Sequence, residues 1–107
     1  GEGVEPPVIL WALARELRLL ANLSLQYSQG VPLDKAFSSA RPPVWDKRKP
    51  LMSKALQRYS AQRWAQLLLE AQRIDAQIKG QAAGSPWMSL SRLSLLMAGQ
   101  RLTLPSE

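Results

Sequence analysis

Residues 8–27 are the longest stretch of the chain with helical periodicity, and they restrict the possible folds more than any other segment. The polar side chains of this stretch recur every three or four residues, so they fall on one narrow arc of a helix: Arg15, Arg18, Asn22 and Gln26, with Glu16 at its edge. Nearly every other position is apolar or small. A helix that is apolar over more than half of its circumference must be covered on more than one side. The pattern therefore predicts the central helix of a small all-helical domain.

Proline, glycine and serine mark the ends of this helix and of the helices after it. Proline suits a first helical turn, where its missing N–H would have no intrahelical partner. Glycine can take the left-handed conformation that ends a helix, and serine is a favoured N-cap. These signals predict helices at 8–27, 33–39, from about 51 to 59 after a break at Pro50, at 60–79, and from Ser85-Pro86 to Gly99. We expect an all-α fold, a compact bundle of about five helices forming one domain over residues 1–107.

The composition restricts the chemistry that the chain can perform. The 107 residues suit one domain, and an apolar content of 46% suits a packed core. The chain has no cysteine and no histidine, its carboxylates are scattered, and it has no glycine-rich phosphate loop. The usual nucleophiles and metal ligands are therefore missing, and we predict no enzyme activity, no cofactor and no metal. No apolar run reaches the ~18 residues of a membrane span, and the absence of cysteine is consistent with a cytosolic setting.

Basic charge concentrates in residues 41–58. The whole chain has 14 Lys and Arg against 8 Asp and Glu, a net charge of +6, which indicates either an anionic partner or a solvated basic surface. The cations of the segment are Arg41, Lys47, Arg48, Lys49, Lys54 and Arg58, against the single acid Asp46. Trp45 lies next to the basic triplet. Cations of this kind meet phosphates, and an indole can stack on an unpaired base. The alternative is that Trp45 is a half-buried anchor that closes the bundle.

The other tryptophans and the methionines are predicted to pack in the core. Trp11, Trp64 and Trp87 lie in apolar helical stripes or at their starts, where a large aromatic side chain contributes most by burial. The methionines, at positions 52, 88 and 97, fit the role of flexible side chains that fill gaps in a core.

Three blocks of the chain, in the same order and at similar spacing, resemble the C-terminal domain of the delta subunit of the bacterial DNA polymerase III clamp loader. The blocks are EPPVILWALARELRLLANL, then VWDKRKPLMSKALQRYS, then the SPW start that leads to LSRLSLLMAG. The likeness extends from Glu5 to about Leu104. It implies a non-catalytic, cytoplasmic bacterial domain that is a fragment of a longer subunit.

The resemblance also implies a set of partners. Such a domain joins those of the other clamp-loader subunits, gamma or tau and delta-prime, in a collar that holds the pentamer together above primed DNA. The sliding clamp is gripped by an N-terminal part of the subunit, which this chain does not include. In this family a tryptophan followed by basic residues faces the template strand, and here those positions are Trp45, Lys47, Arg48 and Lys49. We expect this DNA contact, which includes Arg41, to be weak.

An assembly domain taken out of its complex exposes apolar side chains. We expect subunit contacts at apolar positions that fall off the main stripes, which are Leu19, Leu25, Val31, Leu33 and Leu104. Two other functions stay open. A free-standing basic nucleic-acid-binding domain, such as a helix-turn-helix protein, would need a recognition helix with polar and basic side chains. Residues 60–79 are too apolar for that role, and the basic cluster lies around a proline break. A membrane-surface helix would need a broad basic face, which residues 8–27 lack.

Overall fold

Helix α1, Pro6–Ser28, is the central element of the computed structural model, which describes residues 5–100. It is followed by α2 (Leu33–Ser39), a single 3-10 turn (Asp46–Arg48), α3 (Lys49–Arg58), α4 (Ala61–Ile78) and α5 (Pro86–Met97). Each of these four α-helices contacts α1. The predicted all-α bundle of about five helices is confirmed, and no strand occurs within residues 5–100.

The core lies where α1, α4 and α5 meet. Leu17, Leu23, Trp64, Ile74 and Leu93 have the largest fully buried side chains. On α4 the buried side chains Trp64, Leu67, Ala71 and Ile74 recur every three or four residues, so that this helix turns one apolar stripe inward. Phe37 of α2 is buried in the same cluster. Within residues 5–100, no helix combines the length and the hydropathy needed to cross a membrane.

The serine N-caps form as the sequence predicts. The Ser60 Oγ accepts a hydrogen bond from the Arg63 backbone N–H at 3.1 Å, and the Ser85 Oγ accepts one from the Met88 backbone N–H at 3.3 Å. One boundary differs from the expectation, because α3 begins at Lys49 and includes Pro50 in its first turn. A proline in the first turn of a helix removes no intrahelical hydrogen bond, so α3 begins before Pro50 and not after it.

Side chains at the end of α3 donate hydrogen bonds to the last turn of α5. The Arg58 guanidinium donates to the Met97 carbonyl and the Tyr59 hydroxyl donates to the Leu96 carbonyl, both at 2.7 Å, so two carbonyls of the last turn gain partners. Gly99 follows with a φ of 89°, and a Cβ at this position would lie 2.8 Å from the Arg58 side chain. The chain therefore favours glycine at this point for its backbone conformation, and the missing Cβ leaves room for the Arg58 side chain.

Two of the predicted core tryptophans are exposed, and those predictions are wrong. Trp64 is fully buried, but Trp11 is 64% exposed and Trp87 is 51% exposed. Trp11 precedes Arg18 by seven residues, which places it on the polar side of α1, where it lines a shallow groove between α1 and α4. Met88 is exposed as well, whereas Met52 is buried as predicted.

Candidate nucleic-acid interface

The segment between α2 and α3 turns Trp45 outward. The Val44 N–H donates to the Phe37 carbonyl at 3.0 Å, and the Val44 side chain is buried. Trp45 follows in an extended conformation, with φ −68° and ψ 147°. Successive side chains of an extended backbone point in opposite directions, so Trp45 points away from the core and is 71% exposed. The alternative interpretation, a half-buried anchor, is therefore wrong.

A short turn displays the basic triplet directly after this tryptophan. The Arg48 N–H donates to the Trp45 carbonyl at 2.9 Å, which closes the 3-10 turn, and Lys49 then starts α3. Trp45, Lys47, Arg48 and Lys49 are thereby brought together within one turn of the chain. Lys47 is exposed and has no ion-pair partner in residues 5–100. An indole and an ammonium group that are both open to solvent suit a single-stranded nucleic acid, which offers bases and phosphates side by side.

Two of the four predicted cations are neutralised within the domain. Arg48 forms an ion pair with Glu16 of α1, and its guanidinium also lies 3.8 Å from the Met52 sulfur. The Lys49 ammonium lies 2.8 Å from the Asp46 carboxylate. Both pairs reach solvent, so water and salt screen them and each stabilises the fold only slightly. Lys47 therefore carries the uncompensated charge of the triplet.

The pair formed by Asp46 and Lys49 stays charged through the neutral range. The hydrogen bond and the positive charge from Lys49 lower the pKa of Asp46 below its ordinary value of 3.8. The same hydrogen bond raises the pKa of Lys49 above its ordinary value of 10.5. An acid whose pKa is lowered by folding stabilises the fold at a pH above its ordinary pKa, and this contribution is lost as the pH falls through the lowered pKa. A lysine whose pKa is raised by folding stabilises the fold at a pH below its ordinary pKa, and this contribution is lost as the pH rises through the raised pKa. The pair is thus intact throughout the neutral range.

The hydrogen bonds of Arg41 join it to the end of α2 and not to the turn that carries the basic triplet. Its guanidinium donates to the Ser38 carbonyl at 3.3 Å and to the Ala40 carbonyl at 3.0 Å, so the side chain folds back on the end of α2. A cation at a helix C-terminus is favourable because the last carbonyls there are unpaired. Sequence reasoning missed this contact and the pairing with Glu16, which lies 32 residues from Arg48. The one signal of the pairing between Arg48 and Glu16 was the position of Glu16 at the edge of the polar arc.

The candidate subunit contacts divide into three groups. Leu19, Val31 and Leu33 are partly buried and pack against the core, so they offer little free apolar surface, and their role as subunit contacts stays a prediction. Leu25 is exposed as expected. Leu104 lies outside the described residues. Other large apolar side chains are exposed instead, namely Val8, Trp11, Leu51, Leu69, Trp87, Met88 and Leu95.

Comparison with known proteins gives two matches. The family model described as "Processivity clamp loader gamma complex DNA pol III C-term" matches residues 1–104. The chain is also 38% identical over 101 residues to the DNA polymerase III subunit delta of Escherichia coli (strain K12). This alignment covers 94% of the chain but 29% of that protein, so the chain spans less than a third of its relative. No solved structure matches the chain.

Proposed function

Because this chain belongs to the family of C-terminal domains of the DNA polymerase III clamp-loader subunit delta, we propose that it is a non-catalytic assembly domain. It holds its subunit in the collar of the pentamer that loads the sliding clamp on primed DNA. Its neighbours there are the gamma or tau and delta-prime subunits. The clamp itself is contacted by another part of a longer subunit of which this chain is one domain. The family match over residues 1–104 is the observation that carries the proposal.

The surface of the domain supports an assembly role. Exposed apolar side chains occur on four different helices, as with Trp11 on α1, Leu51 on α3, Leu69 on α4 and Leu95 on α5. Single exposed apolar residues are ordinary, but helix faces that carry several of them are typical of surfaces that pack against partners. A role in the collar supplies such partners, whereas a free-standing nucleic-acid-binding domain does not need them.

The DNA contact in this proposal is a small one. Trp45 stacks on an unpaired template base next to the primer end, and Lys47 meets a phosphate. Arg41, Arg48 and Lys49 attract the same strand more weakly, because each of these cations already has a contact within the domain. With one uncompensated cation in the triplet, we expect the binding of the isolated chain to be weak and only moderately sensitive to salt.

The assembly proposal is tested by mixing the chain with the other clamp-loader subunits of the same source in the absence of delta. Light scattering on a sizing column reports the mass of every species. We expect a mixed peak that contains this chain, because the domain carries its own contacts to its neighbours. A chain that elutes alone beside correctly folded partners would contradict the proposal.

Removing the acid that neutralises Lys49 should strengthen the DNA contact. In Asp46→Asn the Lys49 ammonium loses its partner at 2.8 Å, and one negative charge next to the phosphates disappears. We expect affinity for primed DNA at low salt to rise about two- to fivefold, in line with the energy of an exposed pair. The matched control is Asp75→Asn, which changes the net charge equally by freeing Lys79 at the end of α4, also paired at 2.8 Å. An equal gain from both variants would mean that total charge, and not this turn, sets the affinity.

A further inference from the structure

The turn that carries Trp45 is fixed to the rest of the domain on both sides of that residue. On the N-terminal side the buried Val44 donates its N–H to the Phe37 carbonyl at 3.0 Å. On the C-terminal side the Arg48 N–H donates to the Trp45 carbonyl, and the Arg48 guanidinium forms an ion pair with Glu16. Val44 thus joins the turn to α2, and Arg48 joins it to α1, the central helix of the domain.

The pair of Arg48 and Glu16 differs from the other ion pair of this turn. Asp46 and Lys49 are three residues apart, so their pair joins the turn to the start of α3, which follows it directly. Glu16 lies 32 residues away on α1, the helix on which α3 packs. The Glu16 side chain is 35% exposed and that of Asp46 is 95% exposed, so water and salt screen the Glu16 carboxylate less. Of the two pairs, this one fixes the turn to the core of the domain.

The direction of the Trp45 indole depends on the backbone of this turn. Because the side chain is mostly exposed, packing against the core does not hold it, and the conformation of the turn decides where the ring points. A group that is already held in its binding position loses less conformational freedom when the ligand binds. A turn that is fixed on α1 therefore favours stacking of an unpaired base on the indole.

We propose that Glu16 is a positioning residue for the DNA contact, and that Arg48 serves this contact by holding the turn on α1 and not by binding a phosphate. This inference rests on the DNA contact of the proposed function and adds to it a residue that does not touch the DNA. The Arg48 guanidinium already donates to the Glu16 carboxylate and lies 3.8 Å from the sulfur of the buried Met52. Lys47 is exposed and remains the phosphate contact of the turn.

Removing the charge of Glu16 tests this role, because positioning and simple electrostatics predict opposite changes in affinity. Glu16→Gln removes one negative charge beside the turn and releases Arg48, so charge alone would strengthen the binding of DNA. A positioning role predicts weaker binding, since the turn loses its link to α1. The matched control is Asp46→Asn, which also removes one negative charge but leaves that link intact, and which we expect to bind more tightly. Fluorescence anisotropy of labelled primed DNA at low salt measures the affinity, and thermal unfolding checks the fold of each variant.

We expect Glu16→Gln to bind primed DNA about two- to fivefold more weakly than the unmodified chain, which is part of the contribution of one stacked base. In the Arg48→Gln background the same substitution should cause no further loss, because the link is already broken. In the Trp45→Ala background it should also cause no loss, because the residue that the link positions is absent. A general loosening of the fold would instead weaken binding in every background.

The failure of this inference can be told apart from the failure of the proposed DNA contact. If the unmodified chain binds primed DNA and Glu16→Gln binds equally well or more tightly, the DNA contact stands and the positioning role is overturned. An equal loss with and without Trp45 would show that Glu16 supports only the fold, which also overturns it. If the unmodified chain does not bind primed DNA, the proposed DNA contact fails and the positioning role fails with it.

Discussion

Replacing Trp64 with alanine is expected to lower the free energy of unfolding by about 3–5 kcal/mol, the usual cost of removing a fully buried tryptophan. Trp64 is fully buried on α4, and its ring meets the Tyr59 ring edge-on with centroids 5.1 Å apart. Tyr59 in turn donates to the Leu96 carbonyl, so the cavity would open where α3, α4 and α5 meet. For a domain whose total stability is of the order of 5–15 kcal/mol, this is a large loss. Urea unfolding followed by circular dichroism measures it.

Two matched variants make this prediction specific. Trp64→Phe keeps an aromatic ring in the site and removes the indole N–H, which has no hydrogen-bond partner in the described residues, so we expect a loss of less than about 2 kcal/mol. Trp11→Ala removes a tryptophan that is mostly exposed and should change the stability by no more than about 0.5–1 kcal/mol. Equal losses from Trp64→Ala and Trp11→Ala would contradict the burial that separates these two side chains.

The helices could be predicted from the sequence because their signals are local. The proline pairs, the serine caps and the glycine stops act within a few residues of where they stand, and the caps at Ser60 and Ser85 form as expected. The central place of α1 was also predictable, because its apolar surface is too wide for one neighbour to cover. The boundary at Lys49 was missed by two residues, since a proline marks a break and a helix start equally well.

The candidate site was less predictable because side-chain partners depend on distant parts of the chain. The pairing of Arg48 with Glu16 joins two segments that are far apart in sequence, and it changes the charge that the basic turn offers to a ligand. The exposure of Trp11 had a local signal, since this residue lies seven positions before Arg18 on the polar side of α1. The general expectation that tryptophan is buried outweighed that signal.

Replacing Trp45 with alanine is expected to weaken binding to primed DNA with a single-stranded template extension about fivefold to a hundredfold. Stacking of one base on an aromatic side chain contributes about 1–3 kcal/mol. Trp45 is 71% exposed and the domain's packing does not depend on it, so the loss should arise in the complex and not in the fold. Fluorescence anisotropy of labelled primed DNA at low salt measures the affinity, and thermal unfolding checks that stability is unchanged.

Comparison of three variants separates stacking from charge in this complex. Trp45→Phe keeps a ring and should retain part of the affinity, whereas Lys47→Gln removes one phosphate contact and should lower the salt dependence by about one counterion. Trp11→Ala removes a tryptophan of similar exposure on α1 and should bind like the unmodified chain. Because stacking needs an unpaired base, Trp45→Ala should lose little affinity for a blunt duplex. A variant that lost affinity equally for blunt duplex and for primed DNA would show that Trp45 contacts the DNA without stacking on the template. A variant that lost no affinity for either DNA would leave charge alone to explain the binding.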